Sequence, residues 1–313
     1  MPSCANWQGV SPMCDACLAE MSTSELRKAA TELSVVHSET QRFWREPTYE
    51  ERTFGDIEDV REDISAGEQL IISRATPIVR KMANQLSQEA LALGSDVLGI
   101  AKLTPSFVGE LAGNLLESYE IVFNAGSAQV DRQHERQTGR LMSEKPVPWL
   151  FRMLDRLLQD GVPQSGETPS KTPAAFASVL RSNAEIAADE IGAAVTTAAR
   201  TEAKRNIETG QVNPEAYAAS ADVAARAGFK RLDESAVTDS RQAMGMGRQD
   251  AQERLKGDIV ELVYTAILDL TVCTVCQSFD GMRYGPEEMG KAPNAGCLGF
   301  DRCRCFEIVI FER

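Results

Sequence analysis

Histidine is nearly absent from this chain: there are two in 313 residues, and none follows His134. A zinc site in the C-terminal half therefore has to be built from cysteine, since carboxylate-rich sites bind harder cations. Basic residues are also in deficit, 33 against 46 acidic ones, for a formal charge of -13. A chain of that charge is repelled by phosphate backbones, and no basic run longer than a few residues offers a local exception. No stretch approaches the roughly 18 apolar residues of a membrane span. The opening MPSCANWQGVSPMC has no cationic segment followed by an apolar run, so the expectation is a soluble chain without a secretory leader. Neither GxxxxGK[ST] nor GxGxxG occurs, and Gly245 and Gly247 in RQAMGMGRQDAQERL have the wrong spacing for a phosphate loop. HxE and PCxxC, which a zinc deaminase needs, are missing as well. No nucleophile with a base and no carboxylate pair stands out, which predicts no enzymatic activity.

What is present is enough apolar material for a core, 43% of residues, in a length that suits one large domain or two to three ordinary ones. Most of it follows helical spacing. Residues 1–21 are irregular and hold Cys4, Cys14 and Cys17; Ser22 and Glu25 then form a capping box that starts a helix ending before Pro47. His37 lies beside the apolar face of that helix and reads as a half-buried helix residue. In EERTFGDIEDVREDISAGE, residues 50–68, Phe54, Ile57, Val60 and Ile64 recur at steps of three or four, opposite a face read as acidic and solvated. Helical patterns continue through 68–93, with a break or kink near Pro77, then 105–142 and 146–159. His134, set among charged residues, reads as a surface histidine.

Residues 160–173, DGVPQSGETPSKTP, concentrate Pro, Gly, Ser and Thr and mark a linker between a helical domain at 22–159 and a helical region at 174–256. The latter opens with an alanine-rich helix to about 208, whose face of Ala187, Ile191, Ala194, Val195 and Ala198 suits close packing in a bundle. A second helical stretch, 214–256, is expected to break near Gly245 and Gly247.

After Gly257 the composition changes. IVELVYTAILDL (259–270) and FEIVIF (306–311) are rich in β-branched and aromatic residues, and between them lie Cys273, Cys276, Cys297, Cys303 and Cys305, five of the eight cysteines. If the two runs pair antiparallel, the CxxC and the CxC meet, while Asp280-Gly281 supplies a two-residue turn of the kind that closes a tight hairpin. Clustering at this spacing points to a structural zinc ion held by four thiolates, with Cys273, Cys276, Cys297 and one of Cys303 and Cys305 as the preferred set. A redox dithiol lacks its thioredoxin-like context here, and a zinc-finger reader of DNA would need more than the five basic residues set against nine acidic ones in 257–313. Cys4, Cys14 and Cys17 lack one ligand where the C-terminal group has one in excess, so two four-cysteine sites are arithmetically open. The fold class expected is mainly α, helical in its N-terminal and central regions, with a small α+β zinc-binding knob at 257–313.

Asp269-Leu-Thr-Val-Cys273-x-x-Cys276, the Asp280-Gly281 turn, Pro293 and Cys303-Arg304-Cys305 before a final strand resemble the C-terminal signature of phage minor head proteins, the Mu F-like head morphogenesis family. The match covers about 45 residues, and GRQDAQ at 247–252 is similar to the family's approach to the motif. The family's histidine a few residues before CRC is Phe300 here, and Cys297 is the nearest soft ligand to replace it. The resemblance implies a low-copy virion structural protein, assembled in the host cytoplasm and acting in head morphogenesis near the portal, with a part in DNA packaging or ejection. Portal and major capsid proteins would be its partners, with self-association in a low-copy assembly and no membrane. The rival expectation is a zinc-dependent enzyme or nucleic-acid-processing factor, which would keep an open metal position beside a carboxylate.

Overall fold

The computed structural model describes residues 47–138, 172–266, 274–290, 292 and 305–312. Within them run four long helices, α1 (Pro47–Leu93), α3 (Val108–Thr138), α4 (Ala174–Glu208) and α5 (Pro214–Arg254), with a short α2 (Val97–Ala101) before α3. A 3-10 turn, Lys256–Asp258, then leads into β1 (Ile259–Thr265), α6 (Thr274–Phe279), β2 (Arg283–Tyr284), a second 3-10 turn at Pro286–Glu288 and β3 (Phe306–Phe311). The chain is thus mainly helical with a small C-terminal sheet. Residues 54–313 make up one compact unit; of the other unit, 1–53, only the first turns of α1 are described. The helix predicted from Ser22, His37, the 146–159 helix and nearly all of the 160–173 linker lie outside the described residues.

Consecutive long helices run antiparallel. Asp59 meets Arg136, Asp63 meets Arg132, Arg74 meets Glu117 and Lys81 meets Glu110, so α1 and α3 count in opposite directions along a ladder of opposite charges. Between α4 and α5, Asn183 contacts Gln242, Glu190 contacts Arg231 and Asn206 contacts Ser220, again in opposite order. Phe123 of α3 meets Phe176 of α4 while Val108 meets Gly192, so the bundle is up-down-up-down. Its core is filled by Leu70, Ile71, Met82 and Leu86 of α1, Leu111, Leu115, Tyr119 and Phe123 of α3, and Leu180 of α4, all fully buried. The alanine-rich face of α4 packs as expected, with Ala187, Ile191 and Val195 buried and Ala194 and Ala198 half-buried at its border.

Local chemistry explains where the α4–α5 turn falls. Gly210 adopts φ 70 and the Gln211 N–H reaches back to Asn206 O at 2.8 Å while the Gly210 N–H bonds Ile207 O, a Schellman ending that only glycine adopts freely. Asn213 then caps α5 through the Ala216 N–H at 2.9 Å, with Pro214 as the first helical residue.

Three expectations change. α1 does not break at Pro77, because Ala75, Val79 and Met82 on either side are fully buried and their packing outweighs one missing backbone bond. α5 continues through Gly245 and Gly247: a Cβ on Gly247 would lie 1.9 Å from Phe123 O, and one on Gly126 2.2 Å from Met244 O. Gly247 thus marks a backbone-on-backbone crossing of α3 and α5, not a break. The acidic face of α1 is not wholly solvated either, since Asp63 is fully buried beneath Arg132 and Gln129.

The sheet has the order β2-β1-β3, with both pairings antiparallel. Ile259 pairs with Phe311 and Thr265 with Phe306, so the two β-rich runs do pair antiparallel as the pattern suggests. One face of the sheet joins Val130 of α3 and Ala251 of α5 in a shared apolar cluster with Leu262, Tyr264, Val309 and Phe311. On the side of β3 away from β1, the buried Gln137 donates to Val309 O at 2.7 Å and accepts from the Phe311 N–H at 2.9 Å, while Arg248 donates to Glu307 O at 2.6 Å. Glu307, Val309 and Phe311 are alternate residues, whose backbone groups point to one side of a strand. Among the described helices none is long and apolar enough to cross a membrane.

Candidate metal centre

The antiparallel register decides what sits together at one end of the sheet. Because Thr265 pairs with Phe306, the C-terminal end of β1 and the N-terminal end of β3 lie side by side. Cys276, on α6, is fully buried in the apolar cluster that also contains Tyr264, Tyr284 and Phe311, and Cys305, half-buried, packs against the same cluster. Neither forms a disulfide. Cys273, Cys297 and Cys303, along with Cys4, Cys14, Cys17, Asp269, Pro293 and Phe300, lie outside the described residues. Among the described residues no three His, Cys, Asp or Glu side chains converge as a metal cluster would require.

Asp280-Gly281 forms a turn, but not one that closes a hairpin. It ends α6 and redirects the chain into β2, with Gly281 at φ 77 and the Met282 N–H bonding Phe279 O at 2.9 Å. The difference has a physical reason: residues 274–279 wind into a helix that puts Cys276 on its buried side, so no strand precedes the turn. Asp280 also ties the turn to β1, since its Oδ1 accepts the Ala266 N–H at 3.0 Å. The Gly281 N–H donates to Tyr264 O and the Tyr264 N–H to Met282 O, each at 2.8 Å, which fixes α6 against the end of β1. The Tyr264 hydroxyl lies 3.5 Å from Cys276 Sγ.

The other cysteine-bearing segment is held by Glu307, a buried carboxylate in an otherwise apolar strand. Its side chain accepts from the Tyr284 hydroxyl at 2.6 Å, the Ala292 N–H at 3.2 Å and the Gly290 N–H at 3.3 Å. Three donors on one carboxylate clamp the chain around residues 290–292 beside Cys305. Burial, then the hydrogen bond to Glu307 and its charge, push the Tyr284 phenol far above its ordinary range, so it stays a donor. Arg248, 3% exposed, bonds Glu307 O and Gln129 Oε1, and its guanidinium lies 5.5 Å from the Phe306 ring centroid. Gln129 in turn donates to Asp63 at 2.7 Å. A buried polar line thus runs from α1 through α3 and α5 to the strand that follows the CxC.

His134 is not a surface residue. It is 8% exposed, lies edge-on to Phe311 with centroids 4.8 Å apart, and sets Nε2 3.2 Å from Asp258 in the turn before β1. Its charged neighbours in sequence suggest exposure, but the sheet docks against that end of α3 and covers it. Sequence spacing alone does not mark Glu307, Arg248 or Tyr264 as part of the site. The legible signal for Glu307 is one acid inside FEIVIF, whereas the burial of Arg248 follows from a helix crossing that the sequence pattern does not show.

A cavity of about 410 Å³ lies between α1, α5 and the cysteine-bearing segments, lined among others by Ile64, Arg241, Met244, Arg248, Cys305 and Glu307. No family model, no curated protein and no solved structure matches this chain.

Proposed function

We propose that this chain is a phage minor head protein, a capsid-associated structural component of head morphogenesis near the portal, whose C-terminal module is organised by a structural zinc ion. The observation that carries the reading is the pairing of Thr265 with Phe306. It joins the ends of the strands that flank the cysteine-bearing stretch, and Cys276 and Cys305 lie against one cluster there. The donor chemistry fits: thiols at CxxC spacing, gathered where strand pairing closes a loop of some forty residues, suit a tetrahedral thiolate site. Zinc there would cross-link the loop and stabilise the module, with apparent binding free energies on the order of 10 kcal/mol in small zinc modules. The acidic charge of -13 suits contacts with other proteins of an assembly better than a grip on duplex DNA.

The test is to look for portal and major capsid genes beside this one and to co-express their products with it, followed by gradient sedimentation of the assembled heads. The expected result is co-sedimentation of a few copies per head, lost when Cys273 and Cys276 are both replaced by serine. A chain that never sediments with heads, or whose gene lies in an operon of metabolic enzymes, overturns the reading.

A further inference from the structure

We infer that Tyr264 is a positioning residue for the metal centre, donating its phenolic hydrogen to the sulfur of Cys276 when that sulfur is a zinc-bound thiolate. The inference rests on the zinc reading above and assigns a role within it to a side chain outside the cysteine set.

Both residues are fully buried, and the phenolic oxygen is 3.5 Å from Sγ, within reach of an O–H to sulfur hydrogen bond. The pair is held from both sides. Tyr264 bonds through its N–H to Met282 and through its carbonyl to Gly281, and its ring lies against Phe279, centroids 5.8 Å apart. Asp280, Gly281 and Met282 follow directly from α6, which carries Cys276, and Asp280 accepts a hydrogen bond from the Ala266 N–H. The strand residue and the helix residue are therefore fixed relative to each other by backbone bonds, not by the hydroxyl itself.

That separates two roles for the side chain. A phenylalanine would fill the same space in the cluster, so the hydroxyl is not needed for packing. A neutral thiol is a weak acceptor, whereas a zinc-bound thiolate carries the charge that makes a hydrogen bond from a buried phenol strong. Partners of this kind orient metal ligands and adjust their donor strength, and their loss typically costs 10- to 100-fold in metal affinity.

The experiment compares the full-length wild type, Tyr264→Phe and Cys276→Ser by zinc titration against a chromophoric chelator, and by the sulfur-to-cobalt charge-transfer bands of the Co²⁺-loaded proteins. Far-UV circular dichroism checks the fold. The expected result is a folded Tyr264→Phe protein that still binds metal, about tenfold or more weakly, with a shifted charge-transfer band, while Cys276→Ser loses those bands in part or whole. Unchanged affinity and spectrum in Tyr264→Phe, with Cys276→Ser impaired, overturn the role of Tyr264 and leave the zinc reading standing. A Cys276→Ser protein that binds metal as the wild type does overturns the inference together with the assignment of Cys276 as a ligand.

Discussion

Gly247 of α5 sits against the backbone carbonyl of Phe123 in α3 so closely that a Cβ there would stand 1.9 Å from the oxygen. Gly245, two residues earlier on the same helix, has no atom of another described segment within 4 Å of where its Cβ would be. The two glycines should therefore respond in opposite ways to one substitution. Gly247→Ala forces two helix backbones apart and is expected to cost about 3 kcal/mol or more, whereas Gly245→Ala gains about 1 kcal/mol from helix propensity. Urea denaturation of the two variants measures both, and equal shifts of the midpoint would contradict the crossing.

That contrast shows what was and was not legible beforehand. Among the described residues, the helical character of the long segments and the strands β1 and β3 follow from periodicity and residue type, and α4 begins and ends where its pattern does. Glycines and a proline inside a helix carry two meanings in sequence, break or contact. Only the partner surface chooses between them, and Phe123 lies more than a hundred positions from Gly247. Cys276 and Cys305 stand out by spacing alone, while Tyr264, Glu307 and His134 gain their surroundings only when the sheet docks on α3 and α5.

Gln137 makes two buried hydrogen bonds to the backbone of β3. Gln137→Leu fills similar space and leaves Val309 O and the Phe311 N–H without that partner, so destabilisation of about 2–4 kcal/mol is expected. Hydrogen exchange at the Phe311 amide should accelerate well beyond that of amides in the middle of α4. Retained protection at Phe311 would show that the glutamine does not carry that contact.

Asp63 predicts a pH dependence. Burial is the main cause that raises its pKa above the ordinary 3.8, against the lowering effect of the Gln129 hydrogen bond and the Arg132 charge. A carboxyl whose folded pKa is raised holds its proton more tightly in the folded state than in the unfolded one. Its favourable contribution is therefore complete below 3.8 and is lost as pH rises through the folded value. Asp63→Asn removes this titration, so the difference in stability between wild type and variant should drift against the wild type as pH rises from about 4 toward neutrality. A difference that is flat with pH, or that drifts the other way, contradicts the sign.

Metal removal addresses the cysteine module directly. Protein purified without chelator should carry about one zinc per C-terminal site, and a strong chelator should lower the melting temperature by loosening the β1–β3 pair while the helical signal persists. The double variant Cys273→Ser and Cys276→Ser should melt like the chelated wild type and ignore further chelator. Zinc content near zero in untreated wild type, or unchanged in the double variant, would count against a zinc-organised module.

The way α3 and α5 meet β3 has a bearing on self-association. A border strand normally exposes a row of backbone donors and acceptors that another chain can extend, which is a route to aggregation. Here the side chains of Gln137 and Arg248 occupy that row, at Val309, Phe311 and Glu307. Copies of this chain brought to high local concentration would find β3 already capped on that side, so any ordered contact between them would fall to other surfaces.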